Sequence, residues 1–359
     1  MMERKTGCVK KTFLAVLLAA AVSVSGIPAF AVDADNTVSA NSITISLSTL
    51  DGLVRQYNPN ALALYNSLMK TRQAYTDAKA YDSDEQIDAA AHADDLAEAT
   101  YEEQVQQIIV SSKQTYLAYW YAVTIQAGDQ AEADRDAKLL AYEKGCLQNG
   151  YLSQKDYQAA ADNAAKSSQA LAAQTSAVAQ ADQSLKALIP VAAGVNVDIL
   201  PLAETDFDFS GISQINYAND VILMRNKNED IQSAALEYHY DNDNTYDLFT
   251  DQDIANAKLK LDQTTQAQTS AFLNLYNTVT SFYTAYQTEQ QTVQRKEAEV
   301  QLDTQRVANG YLSQKDYDQA SLDLQTMKNS LENDRNSLYI SYLKYIGMRN
   351  GYSAGSTGT

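Results

Sequence analysis

Few residues in this chain have the types and spacing of a reactive centre, and each candidate set falls short. Asp241, Asp243, Thr245 and Asp247 alternate as calcium-loop ligands do, but the sixth place holds Tyr246 where such a loop needs glycine. The twelfth place holds Gln252 rather than a bidentate glutamate, so the stretch reads as a solvated acidic turn. His92 and His239 stand far apart in sequence among acids, one histidine to each polar stretch, too few for a zinc site. Cys146 follows Lys144 and Gly145 and reads as an inert lone thiol. Tyr119, Trp120 and Tyr121 form an aromatic run that reads as packing. No Ser/His/Asp set, phosphate-cradling glycine loop or paired-carboxylate constellation stands out, so no catalytic residue, cofactor or metal is expected and the chain is read as no enzyme.

The informative feature is a duplication. Asn-Gly-Tyr-Leu-Ser-Gln-Lys-Asp-Tyr occurs at 149–157 and again at 309–317, an offset of 160. An identity of this length marks two copies of one structural unit. Each copy is a stop signal followed by a start signal. Gly150 and Gly310 suit the left-handed position that ends a helix. Ser153 with Asp156, and Ser313 with Asp316, have capping-box spacing, and Leu152/Tyr157 and Leu312/Tyr317 occupy the staple positions.

The flanking segments must be the helices that carry these turns. A seven-residue apolar ladder runs Phe272, Val279, Tyr286, Val293, Val300, Val307 before the second turn, then Tyr317, Leu324, Leu331, Leu338, Tyr345 after it. The first copy repeats it with Leu140 and Leu147, then Tyr157, Ala164, Leu171, Val178 and Leu185. A sustained seven-residue period predicts coiled-coil packing, and a short turn makes each helix pair an antiparallel hairpin. The fold class is therefore all-α: two repeated long coiled-coil hairpins. Ascending helices are expected over about 96–147 and 254–308, each roughly 80 Å long, with returning helices over about 153–189 and 313–349 of ~55 Å. A shorter helix opens each unit, 61–80 after Asn58-Pro59-Asn60 and 221–238 after Asn219-Asp220. Neither hairpin has a globular core of its own, so the two must bundle together or with other subunits.

Composition bounds the rest. Arg4, Lys5, Lys10 and Lys11, an apolar run from Phe13 to Val24 and Ala29-Phe30-Ala31 read as an export signal cut before Val32. That run is shorter than the roughly 20 residues of a membrane span, and no second run of spanning length follows, so no transmembrane helix is expected. The full chain carries −18; without residues 1–31, whose charge is +3, the mature chain carries −21. Such a balance opposes nucleic acid or anionic lipid as partner. Cys146 is then the sole cysteine, which excludes an intrachain disulfide. The segments are read as signal 1–31, leader 32–44, first repeat 45–190, extended linker 191–211, second repeat 212–349 and a disordered Gly/Ser/Thr tail 350–359.

This layout resembles the TolC-like outer membrane efflux protein family, which has two repeats per chain, each with two long helices meeting at a Gly-aliphatic-Ser/Thr-x-x-Asp tip. Here the tips run from Gly150 to Asp156 and from Gly310 to Asp316. Tyr116 and Tyr276, each 34 residues before the tip glycine, match an aromatic of the family, as Asn58-Pro59 matches its Asn-Pro. The resemblance implies a homotrimer forming an α-barrel conduit in the cell envelope. It also implies tips, here Gly150, Tyr151, Leu152, Ser153, Gly310, Tyr311, Leu312 and Ser313, that meet an adaptor of the membrane-fusion type linked to an inner-membrane pump. Aspartates after the second tip narrow the channel entrance in the archetype; Asp316 matches the first, Gln319 stands at the second, and Asp318 is beside it.

One departure stands out. Relatives from bacteria with two membranes insert two β-strands between the opening and ascending helices of each unit, and these build the outer-membrane barrel. The corresponding connectors, about 81–95 and 238–253, are short and rich in Asp, Asn, Glu and Gln. A spanning pair needs about 9–11 alternating residues per strand plus a turn, so barrel strands are expected to be absent. The alternative to a conduit is a coiled-coil envelope scaffold that transports nothing.

Overall fold

The computed structural model describes residues 42–192, 194–243 and 248–353. The signal reading of 1–31, most of the leader and residues 354–359 of the tail lie outside them. The elements are β1 (Ser42–Ile45), α1 (Leu50–Tyr57), α2 (Pro59–Tyr81), α3 (Asp84–Gln148), α4 (Gln154–Ala187), β2 (Asn196–Ile199), α5 (Tyr217–Lys227), α6 (Glu229–Asp243), α7 (Asp251–Ala308) and α8 (Gln314–Asn350), with two short 3₁₀ turns between β2 and α5. Among the described residues the only sheet is the parallel pair β1–β2, with Ile45 opposite Ile199. The all-α hairpin architecture is as the heptads dictate, and no closed barrel is present among the described residues.

The ladder residues do what their spacing requires. On α4, Tyr157, Ala160, Ala164, Ser167, Leu171, Gln174, Val178, Ala181 and Leu185 are buried or half-buried. The positions outside that seam are, with few exceptions, open. α3 packs along α4 and α7 along α8, while α3 also lies along α8, so the four long helices stand in the row α4–α3–α8–α7. At the α3–α8 crossing, a Cβ on Gly128 would lie 3.5 Å from both Asn329 and Gln325. The substantial apolar burial is at the end of the row away from the tips. There Leu50, Tyr116, Leu117, Leu185, Ile189 and Ile45 form one cluster, and Met224, Phe272, Val279, Leu338, Tyr345 and Met348 a second.

Four expectations are corrected. Both ascending helices begin earlier than expected, at Asp84 and Asp251 instead of near 96 and 254. The polar connector 81–95 is thus almost wholly helix. Gln86 reaches back so that its side-chain oxygen accepts from the Ser83 N–H at 3.2 Å, and Asp84 and Glu85 favour the positive helix end. Thr250 and Asp253 make the reciprocal box at the start of α7, with bonds of 3.2 and 2.9 Å.

The second opening helix, expected over 221–238, is two helices broken at Asn228. Asn228 and not Asn219 is therefore the counterpart of Asn58. Both are buried and extended (ψ 123° and 124°), and both take the cap bond of the next helix, from Ala61 N–H at 3.2 Å and Ile231 N–H at 3.2 Å. The offset here is 170 against 160 at the tips, because the second unit has ten fewer residues between this asparagine and its tip.

The linker 191–211 is extended as its alternation indicates, but part of it is strand, since the leader's last residues meet it as β1. It is also tied down: Tyr116 Oη donates to Leu200 O at 2.5 Å, and Arg335 pairs with Glu204 at 3.0 Å while lying over the Phe207 ring. The start of the tail is packed as well. Gly351 O accepts from the Glu229 N–H at 2.7 Å, and Ser353 Oγ bonds the Asp230 carboxylate.

Candidate docking surface at the hairpin tips

Each tip is built by backbone geometry first. Gly150 and Gly310 have φ of 76° and 73°, the left-handed region open to glycine. With glycine there, Gly150 N–H bonds Leu147 O at 3.0 Å and Tyr151 N–H bonds Cys146 O at 2.8 Å, the paired bonds of a Schellman motif. The second tip repeats them with Gly310 to Val307 at 3.0 Å and Tyr311 to Arg306 at 2.7 Å. Asn149 and Asn309 add side-chain bonds to Gly145 O and Gln305 O, both 2.9 Å.

The returning helices start with equal definition. Ser153 Oγ accepts from Asp156 N–H at 3.1 Å and donates to its carboxylate at 2.6 Å; Ser313 does the same with Asp316 at 3.1 and 2.7 Å. Leu152, Tyr157, Leu312 and Tyr317 are half-buried at the staple positions.

This arrangement sorts the residues expected to contact a partner. The glycines shape the turn, and the serines and Asp316 are engaged in capping, so their polar groups are already bonded within the chain. Asp318 accepts from Gln314 Nε2 at 2.7 Å and is likewise occupied. Tyr151 and Tyr311, each 83 % exposed, are the large apolar side chains left open. Lys155 and Lys315, in the first turns of α4 and α8, are exposed as well, two cations at the tips of an acidic protein, and the repeated sequence keeps them in both copies although capping does not require them. Arg135 on α3 donates to Gln319 on α8 at 3.2 Å, which fixes both tips at the same end of the row.

The remaining candidates fall elsewhere. Tyr116 is fully buried at the base, and Tyr276 is half-buried there, its ring 5.1 Å from that of Tyr217; these are packing residues. Trp120 packs edge-on against Tyr119 at 5.2 Å, with its Nε1 buried and unbonded. Asp241 and Asp243 belong to the last turn of α6, not to a loop, while Thr245, Tyr246 and Asp247 lie outside the described residues. His92 and His239, one from each polar connector, both line one cavity of about 610 Å³ between α3 and α6, where His92 stacks on Tyr240 at 4.5 Å. Burial holds His92 below its ordinary pKa, opposed by Glu237 and Asp95. Among the described residues no three His, Cys, Asp or Glu side chains are grouped to hold a metal. Cys146 is a free, half-buried thiol.

With the hairpins, row and tips defined, known structures provide the comparison. No family model matches the sequence, and no curated protein matches it. Among solved structures, the CmeC outer membrane channel of Campylobacter jejuni is similar with a TM-score of 0.61 at 12% identity, over 93% of this chain and 95% of that one. The outer membrane protein VceC of Vibrio cholerae gives 0.59 at 14% identity, over 85% and 96%. The open-state MtrE outer membrane channel of Neisseria gonorrhoeae gives 0.52 at 12%, over 85% and 89%. The chain has the fold of these channels. The TolC-like fold is here reduced at one end. In the first repeat only Asp82 and Ser83 separate α2 from α3, and in the second seven residues separate α6 from α7, which leaves no room for a pair of spanning strands at either place. Among the described residues no helix is long and apolar enough to cross a membrane.

Proposed function

We propose that this protein is an exported cell-envelope component of an efflux or export system, acting as a passive conduit or docking element. In this reading it assembles as a trimer through the open long edges of α4 and α7, and an adaptor of the membrane-fusion type, linked to an inner-membrane pump, engages the hairpin tips. The observation that carries the reading is the duplicated tip. Two identical turns at one end of a channel-like fold present the same uncovered tyrosine and lysine side by side, and packing within the chain does not account for an aromatic ring left 83 % exposed in both copies. The docking residues are Tyr151 and Leu152 with Tyr311 and Leu312, held in place by Gly150, Ser153, Gly310 and Ser313.

The test is the mass of the mature protein alone and with a candidate adaptor by light scattering. A trimer that gains the adaptor's mass, and loses it when Tyr151→Ala and Tyr311→Ala are combined, is expected. A monomer at high concentration, or unchanged adaptor binding in the double variant, overturns the reading. A second reading, a coiled-coil envelope scaffold without transport, is favoured by the two-residue link at Asp82-Ser83, where a barrel strand pair would have to enter. A trimer that binds no adaptor would favour it.

A further inference from the structure

Where the two repeats meet at the base, three carboxyl groups face one another without a cation. Glu103 comes from α3, and Glu229 and Asp230 from the first turn of α6. Glu98 and Glu102 face Glu229 from α3 and are themselves paired with Arg72 and Arg55, each at 2.9 Å. Among the described residues no ion pair reaches Glu103, Glu229 or Asp230. Their partners are neutral donors instead. Gln107 Nε2 donates to Glu103 Oε1 at 2.8 Å, while Gln268 Nε2 of α7 and Ser353 Oγ both donate to Asp230 Oδ2.

The carboxyl groups of Glu103 and Asp230 lie within reach of one another. Two carboxyl groups so placed can bond to each other only when one of them holds a proton, since ionised carboxylates are acceptors alone. Burial first, and then the Asp230 charge, push Glu103 up to about 7. Burial, with the charges of Glu102, Glu98 and Asp230, raises Glu229 as well.

The same junction seats the end of the chain. Glu229 N–H holds Gly351 O at 2.7 Å, and Gly351 turns at φ 129°, where a Cβ would come 2.7 Å from Lys227 O. Tyr352 N–H bonds Gly347 O at 3.0 Å, and Ser353 completes the hook on Asp230. The first repeat has nothing titratable at the equivalent places. The counterparts of Glu229 and Asp230 are Pro59 and Asn60, and Asn58 Nδ2 there donates to Leu188 O at 2.9 Å.

We propose that Glu103 and Asp230 form a proton-dependent latch: one shared proton clamps α6 to α3 and seats the C-terminal segment, and its loss sets two carboxylates against each other and frees that segment. The direction follows from linkage. Glu103 keeps its proton in the folded chain at pH values where the unfolded chain has lost it. Its contribution is therefore complete below about 4.5 and is lost as pH rises toward and through about 7.

Hydrogen–deuterium exchange of the mature protein at pH 5.0 and pH 8.0, corrected for intrinsic exchange, tests this in the peptide covering 347–353. Protection there is expected to fall about tenfold or more at the higher pH. Glu103→Gln should keep the segment protected at pH 8.0 and flatten the profile. Equal wild-type protection at both pH values, or a Glu103→Gln profile like that of wild type, overturns the latch. If Glu103→Gln does not fold, Ser353→Ala gives the second measurement: without the hook, 347–353 should exchange as fast at pH 5.0 as at 8.0, and a retained wild-type profile overturns the proposal. The first tip lies about 70 Å away along α3, so an equal pH-dependent loss at 149–153 would show general destabilisation and also overturn it.

Discussion

The two tips and the two bases of this protein have diverged to different degrees. At the tips the Schellman bonds are 3.0 and 2.8 Å in one repeat and 3.0 and 2.7 Å in the other, and the capping serines agree as closely. At the bases, equivalent buried positions hold different chemistry. Phe272, stacked on Tyr345 at 4.8 Å, corresponds to Ser112, which is fully buried with an unbonded Oγ. Tyr345, whose hydroxyl donates to the buried Asp220 at 2.7 Å, corresponds to Leu185, and Asp220 corresponds to Leu50. Burial first, and then Asp220, raise the pKa of that tyrosine. A core position needs only filling and satisfied polar groups, which several residue pairs supply. A left-handed turn followed at once by a cap admits few sequences, and the open Tyr and Lys side chains have been kept although neither requirement restricts them.

The contrast can be broken most decisively at the base. Phe272→Ala is expected to lower stability by about 3–5 kcal/mol, whereas Ser112→Ala should be close to neutral because its hydroxyl already lacks a partner. Urea unfolding at fixed protein concentration measures both, and similar losses would mean that the two bases are packed alike after all. Tyr345→Phe should cost about 1.5–3 kcal/mol by the same measurement, the loss of a hydrogen bond to a buried carboxylate. A negligible change would show that Asp220 finds another donor. The smallest effects sharpen the other side of the comparison. Ser153→Ala and Ser313→Ala should each cost about 1 kcal/mol, and the two values should agree, since the caps share one geometry. Unequal costs would show that the tips are alike in sequence only.

Much of this was legible from residue order. The heptad ladders gave the hairpins, and Gly, Ser and Asp at fixed spacing gave the tips to within a residue of the observed ends of α3, α4, α7 and α8. Two kinds of feature were misread. The connectors looked solvated because they are acidic, yet Ser83 with Gln86 and Thr250 with Asp253 already spelled helix starts, and acids in a first turn are where a helix favours them. The counterpart of Asn58 was sought at a constant offset, but the second unit is ten residues shorter between this asparagine and its tip, which puts the counterpart at Asn228, and only the burial pattern shared by Val54, Asn58 and Ala61 with Met224, Asn228 and Ile231 reveals this. The pairing of His92 with the His239 side of α6, and of Glu103 with Asp230, joins residues more than a hundred positions apart, which no local spacing encodes. Among the tip residues, sequence gave the positions but not the division of labour, since capping claims the serines and leaves the tyrosines uncovered.

The two-residue link between α2 and α3 also bears on how such a protein changes over time. Because α3 starts from its own cap at Ser83, its first turn does not depend on what precedes Asp82, and a segment spliced there would leave the coiled coil in register. The entropy of closing such an insert grows only with the logarithm of its length. The site is therefore a port at which a membrane-spanning strand pair could be gained or shed in one step, with the helical shaft and its tips left as they are.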